Sequence, residues 1–157
     1  MEIAPRRVLL DVYVAYQLAG RLIGHELTDV GIPLEDYPLY TALVHHEQMT
    51  PTHLARHLGL PLSTVIFRTG KLIERGDVTR VANPLDRRST LLGLTPRGRQ
   101  LVEDAHPRFG RVLERIEGHL GRPIGEVQIM VAELAAAIAA ALEEAQREAL
   151  LRERRAS

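Results

Sequence analysis

The sequence predicts a mainly α protein with a small β-wing (α+β). Three observations carry this. Apolar residues recur at helical spacing in several runs separated by Gly and Pro breaks. Ala55, Gly59 and Val65 stand at the offsets needed by two helices crossing at a tight turn. Two short apolar runs then bracket a polar loop, Asn83-Pro84-Leu85-Asp86-Arg87-Arg88-Ser89.

The first helix is expected from about Pro5 to Leu27, with Val8, Leu9, Val12, Tyr16, Ala19, Leu22 and Ile23 in helical register. Gly31-Ile32-Pro33 breaks the chain. A second helix is expected over roughly Leu34 to His46, with Leu39, Leu43 and Val44 on one side. Thr50-Pro51 is a threonine N-cap followed by proline in the first turn, so a third helix should run from Pro51 to Leu58. Ala55 is small where the next helix crosses, and Gly59 can take the positive φ of a helix exit. The fourth helix should run from about Leu62 to Arg75, held by Val65 and Leu72 and closed by Gly76. Strands are expected at Val78 to Ala82 and Thr90 to Leu94. Thr95-Pro96 repeats the start signal for a helix to about Leu120, with a kink expected at Pro107. After Gly121-Arg122-Pro123, a last helix should reach about Leu151, leaving a frayed charged tail.

Composition narrows the class. The chain has 157 residues and no cysteine, which excludes disulfides, cysteine-based zinc fingers and thiol redox sensing. No stretch reads as a membrane span: the longest candidate, Ile129 to Leu142, is alanine-rich and interrupted by Glu133. No signal peptide is evident, so a cytoplasmic protein is expected. Net charge is zero, yet it is unevenly spread. From Pro51 to Arg99 there are nine basic and three acidic residues, against an acidic remainder. A basic module with helix-turn-helix spacing is the footprint of a polyanion partner, double-stranded DNA. No Ser-His-Asp pattern, glycine-rich phosphate loop or carboxylate pair marks an enzyme, and no cofactor is implied.

A helix in the major groove reads bases mostly with its first two turns. On the fourth helix the outward face there holds Leu62, Ser63, Thr64, Phe67 and Lys71. Ser63 and Thr64 suit bases or phosphates, Phe67 suits a thymine methyl, and Lys71 suits either base or phosphate. Arg68 stands three after Val65, where an apolar residue is usual, and is read as snorkelling to a phosphate or as a sign that the helix phase is slightly off. Gly70 is a helix-interior glycine that either allows close approach of DNA or is merely tolerated. Arg87 and Arg88 at the loop tip suit minor-groove insertion. Arg97 and Arg99 are read as phosphate contacts or as solvated. The terminal helices are apolar on one face, and pairing with a second copy buries them most simply. This gives residues 1–33 as an N-terminal dimerisation helix, 34–100 as a winged helix-turn-helix, and 101–157 as C-terminal dimerisation helices.

With these residues in place, the chain resembles the MarR family of bacterial regulators. The motifs are Leu54-Ala55-Arg56-His57-Leu58-Gly59, Ser63-Thr64-Val65, Leu72-Ile73-Glu74-Arg75-Gly76, the 83–89 wing, and Leu94-Thr95-Pro96-Arg97-Gly98. The resemblance covers nearly the whole length. It implies a homodimeric transcription factor, usually a repressor, that binds a pseudo-palindromic operator and is often released by a phenolic or other small effector in a crevice. It also implies that Asp86 supports the wing by an ion pair with a neighbouring arginine. Tyr13, Tyr16, Tyr37, Tyr40 and His45 are the candidate lining of that crevice, with packing an equal explanation.

Two alternatives stand beside this reading. Seven histidines invite a zinc- or other metal-responsive regulator: His45 and His46 precede the helix-turn-helix, His53 and His57 have i, i+4 spacing, and Glu47 and His106 are candidate completing ligands. The spacing does not specify a site, and no metal residue is assigned. The second alternative is a winged-helix module for protein contacts, against which the basic wing argues.

Overall fold

The computed structural model describes residues 7–27 and 29–156. Among these residues six helices and three strands follow one another: α1 (Val8–Leu27), α2 (Tyr37–His46), β1 (Gln48–Met49), α3 (Pro51–Leu58), α4 (Leu62–Glu74), β2 (Val78–Ala82), β3 (Thr90–Leu94), α5 (Pro96–Glu117) and α6 (Ile124–Ala156). Two compact units divide within α5, one reaching to Leu113 and the other starting at Glu114.

In the first unit the start signals act as expected. Thr50 Oγ1 accepts a hydrogen bond from the His53 N–H at 3.1 Å, capping α3. Gly59 has φ +64°, and the Leu60 N–H reaches back to the Ala55 carbonyl at 2.9 Å, the geometry of a left-handed helix exit. Two core residues each from α3 (Leu54, Ala55) and α4 (Val65, Leu72) are buried, so the two helices meet along the predicted faces. Leu39 and Leu43 of α2 and Leu92 of β3 are fully buried in the same core.

The sheet is antiparallel in the order β1-β3-β2. β2 and β3 form the wing hairpin, with Val78 opposite Leu94 and Ala82 opposite Thr90. β1 pairs on the other side of β3, Met49 opposite Leu92. Sequence reasoning missed β1 because two residues carry no alternation to read. Its pairing makes β3 the central strand rather than an edge, and its Met49 is buried.

Several boundaries shift. α2 begins at Tyr37, not Leu34. Leu34–Asp36 turn instead, with the Asp36 and Tyr37 N–H groups both donating to the Pro33 carbonyl, and Pro38 occupies the first turn of the helix, where its missing N–H costs nothing. Val44 is exposed rather than in the core with Leu39 and Leu43. α5 runs unbroken through Pro107 and ends at Glu117. α1 starts at Val8, and Pro5 lies outside the described residues. Asp29 and Glu26, at the end of α1, pair with Arg108 (3.5 Å) and Arg111 (3.8 Å) of α5.

The second unit is dominated by α6, which continues to Ala156 with i, i+4 pairs Glu143–Arg147 and Glu148–Arg152 on its later turns. Ile129, Met130, Val131, Ile138 and Leu142 of α6 are exposed, as are Val8, Leu9, Leu10 and Val12 of α1. By length and composition α6 is able to cross a membrane, which corrects the expectation drawn from Ile129 to Leu142. Over residues 125–142 only Glu126 and Glu133 are charged, so the single interruption at Glu133 does not break an apolar window of that length.

Candidate nucleic-acid interface

The outward face of α4 is built by the burial of its opposite face. Val65, Thr69 and Leu72 turn inward at helical spacing. Thr69, fully buried, satisfies its hydroxyl by donating to the Val65 carbonyl at 2.7 Å. This fixes Ser63 and Phe67 outward and leaves Thr64 half-buried. Phe67 is 63% exposed, and the Lys71 Nζ lies 4.3 Å from the centre of its ring. The cation–π contact presents an aromatic edge and a positive charge as one unit. Ile66, at 49% exposure, joins this surface and was missed because it reads as a core residue by type.

Arg68 corrects the sequence reading. Its Nη1 donates to the Glu35 carbonyl, so the guanidinium anchors α4 to the turn before α2 rather than reaching outward to a phosphate. The inward position after Val65 is Thr69, one residue beyond the expected phase.

The wing loop is held by its own backbone and side chains. The Asn83 N–H donates to the Ser89 carbonyl at 3.2 Å, and Asn83 Nδ2 donates to Ser89 Oγ at 2.8 Å. Asn83 Oδ1 accepts from the Leu85 N–H at 3.0 Å. Asp86 Oδ1 accepts from the Arg88 N–H at 3.0 Å, the side-chain-to-backbone bond of an Asx turn. Asp86 therefore supports the wing through the Arg88 backbone, not through the expected arginine ion pair. Arg87 and Arg88 are both exposed at the tip.

Behind this surface lies a buried charge that sequence reasoning did not single out. Asp77, at the start of the wing hairpin, is 0% exposed. It accepts from the Tyr40 hydroxyl at 2.7 Å and pairs with Arg75 Nε at 3.2 Å and Arg97 Nε at 2.9 Å. Arg75 also donates to the Gly31 carbonyl at 2.7 Å. One carboxylate thus joins α2, the end of α4, the base of the wing and the start of α5. Gly98 lets α5 come this close: a Cβ there would lie 2.1 Å from the Asp77 carbonyl oxygen. Arg97, read from sequence as a phosphate contact or solvated, is 67% exposed and also donates from its Nε to Asp77. The signal available was an acid among seven arginines and one lysine between 56 and 97, placed where a strand should begin.

Burial, and then the hydrogen bond to Asp77, push the Tyr40 hydroxyl well above its ordinary pKa. Asp36 is also shifted up, chiefly by burial and against the pull of Arg68.

The five crevice candidates do not form one lining. Tyr40 is fully buried in the core with its hydroxyl bound, which removes it from any ligand surface. Tyr37 stacks on Phe109, ring centres 4.0 Å apart. Tyr13 and Tyr16 are 59% and 73% exposed on α1, and His45 is exposed near the end of α2. The histidines before and within α3 do approach one another: the His46 ring lies 4.8 Å from that of His57 and 6.4 Å from that of His53. Among the described residues, no group of three or more candidate ligands is arranged to hold a metal ion.

Comparison with known proteins places this geometry. No family model matches the chain. The multiple antibiotic resistance protein MarR of Salmonella typhimurium is 27% identical over 104 residues, 66% of this chain and 72% of that protein. An uncharacterised helix-turn-helix regulator of Bacillus subtilis is 27% identical over 109 residues, 68% of this chain and 66% of that protein. Among solved structures, a cysteine-to-serine variant of Escherichia coli MarR in complex with operator DNA superposes with a TM-score of 0.71 at 20% identity, covering 85% of this chain and 99% of the other. BpsR of Bordetella bronchiseptica, whose DNA binding is regulated by 6-hydroxynicotinic acid, superposes at 0.69 with 23% identity, over 83% and 98%.

Proposed function

From the premise of a winged-helix transcriptional regulator of the MarR type, we propose that this chain binds a pseudo-palindromic DNA operator as a homodimer and represses transcription. α4 enters the major groove with Ser63, Thr64, Phe67 and Lys71, and the wing follows the minor groove with Arg87 and Arg88. The carrying observation is that the outward face of α4 and the arginine tip of the wing are both exposed and both fixed. One is set by the burial of Val65, Thr69 and Leu72, the other by the hydrogen bonds of Asn83 and Asp86. Both belong to the basic stretch from Pro51 to Arg99. Phosphate neutralisation then supplies affinity, and α4 supplies sequence choice.

The exposed apolar side chains of α1 and α6 support a dimer, since a second copy removes them from water in a closed two-fold assembly. The same use accounts for α6 without a membrane, and the protein acts in the cytoplasm where its operator lies. Residues 1–33 and 101–157 serve dimerisation, and 34–100 bind DNA. A small aromatic or phenolic effector relieves repression, with Tyr13, Tyr16, Tyr37 and His45 as remaining candidates for its contacts.

The test is selection of bound duplexes from a random library at two salt concentrations. A two-fold motif with half-sites about one helical turn apart, bound less tightly at the higher salt, is the expected result. No enrichment at either salt refutes the reading. Enrichment only with added zinc would favour the metal-responsive alternative.

A further inference from the structure

Leu85 is the most exposed large hydrophobic side chain among the described residues, at 95%. It stands at the tip of the β2–β3 hairpin, beyond the last strand pair, Ala82 opposite Thr90. Its position is not left to chance. The Leu85 N–H donates to Asn83 Oδ1, and the Asp86 N–H donates to the Asn83 carbonyl at 3.3 Å, closing a turn with Leu85 third of its four residues. The Ser89 N–H donates to the Asp86 carbonyl at 3.0 Å and closes the next turn, with Arg87 and Arg88 inside it. The loop therefore holds an apolar side chain and two arginines outward together, paying little ordering entropy when a partner arrives.

A partner for that trio must be anionic at its rim and apolar within. The minor groove of duplex DNA meets both conditions: phosphates line its edges, and sugar C–H groups and base edges form its walls and floor. Apolar side chains entering there unstack and kink flexible pyrimidine–purine steps. We propose that Leu85 is an apolar wedge that enters the minor groove beside Arg88 and makes the wing sensitive to the deformability of the step beneath it. This rests on the DNA-binding function proposed above and adds a residue whose contribution is not electrostatic. An apolar contact displaces no counterions, so it leaves its mark on affinity and not on the dependence of affinity on salt.

The experiment measures binding of the selected duplex by fluorescence anisotropy over a range of salt, for the full-length protein and its Leu85→Ala, Leu85→Met and Arg88→Ala variants. The expected result for Leu85→Ala is a loss of about tenfold, the effect of withdrawing most of one leucine from apolar contact. That loss is the same at every salt concentration, and Leu85→Met restores most of it. Repeating the selection with Leu85→Ala is expected to flatten the preference for flexible steps under the wing. Arg88→Ala, by contrast, is expected to reduce the salt slope by about one. Leu85 packs on nothing, so thermal unfolding of Leu85→Ala should match the parent and serve as the folding control. Affinity within twofold of the parent overturns the proposal, and so does a loss that shrinks as salt rises. A parent protein that enriches no duplex removes the proposed function itself, and the wedge with it.

Discussion

Replacing Asp77 by alanine removes the acceptor shared by Tyr40, Arg75 and Arg97. The three partners differ in what they lose. Tyr40 is buried, so its hydroxyl is left without water or a partner, at a cost of about 1–3 kcal/mol. The arginine side chains are 34% and 67% exposed and regain hydration, so each pair contributes only about 0–1 kcal/mol. The sum is about 1–5 kcal/mol, expected to lower Tm by roughly 2–20 °C for a chain of this size. Urea unfolding followed by circular dichroism, at one fixed protein concentration, measures it for Asp77→Ala, Tyr40→Phe and the double variant. Because the two residues share one hydrogen bond, the double variant should be less destabilised than the two singles added together, by about 1–2 kcal/mol. A loss below about 1 kcal/mol for Asp77→Ala, or strict additivity, refutes the reasoning that this carboxylate holds the module together.

Other substitutions separate folding from binding. Gly70→Ala should raise Tm by about 2–4 °C, since a Cβ there meets nothing within 4 Å and helix propensity improves by roughly 1 kcal/mol; weaker operator binding by this stabler protein would place DNA against the gap. Gly98→Ala should do the reverse, with the Asp77 carbonyl in the way, and a chain that unfolds no more easily than the parent would contradict the close approach. Asp36 has its pKa raised by burial, so the stability it contributes is fullest at acid pH and is lost as pH rises through that raised value. Asp36→Asn should therefore stabilise the protein near neutrality and leave it little changed in acid, as thermal melts across pH would report. Leu142→Glu on exposed α6 should shift the protein from dimer to monomer in sedimentation or light scattering, whereas an unchanged mass would exclude that face from the interface.

The elements that sequence reasoning located best are those with local chemical punctuation. Thr50-Pro51, Gly59, Gly76 and Thr95-Pro96 act through hydrogen bonds to neighbours within a turn, and α3, β2, β3 and the start of α5 fall where those residues put them. The outward face of α4 followed from periodicity, since Val65 and Leu72 fix the phase. What escaped depends on residues far apart in the chain. β1 exists only through β3, 43 positions or more away, and Asp77 draws its meaning from Tyr40, 37 residues earlier. Arg68 was read as snorkelling to a phosphate or as a shift in helix phase, and Tyr40 as a ligand contact or a packed residue; tertiary hydrogen bonds decide both, one onto Glu35 and the other in the core. Asp86 lay between: its importance was legible, but its partner proved to be a backbone N–H two residues on.

The two parts proposed to face DNA differ in how they can be exchanged. The 83–89 loop is closed by bonds among Asn83, Leu85, Asp86, Arg88 and Ser89, all within the loop itself. It is a cassette, and tips from other proteins with the same closure can be grafted onto the β2–β3 stem without redesigning it. α4 is not: its far end is clasped through Arg75 to Asp77 and Gly31, and its middle through Arg68 to Glu35. A recognition helix transplanted here must keep those two arginines, which leaves the positions around Ser63 and Phe67 as the freely rewritable part of its readout.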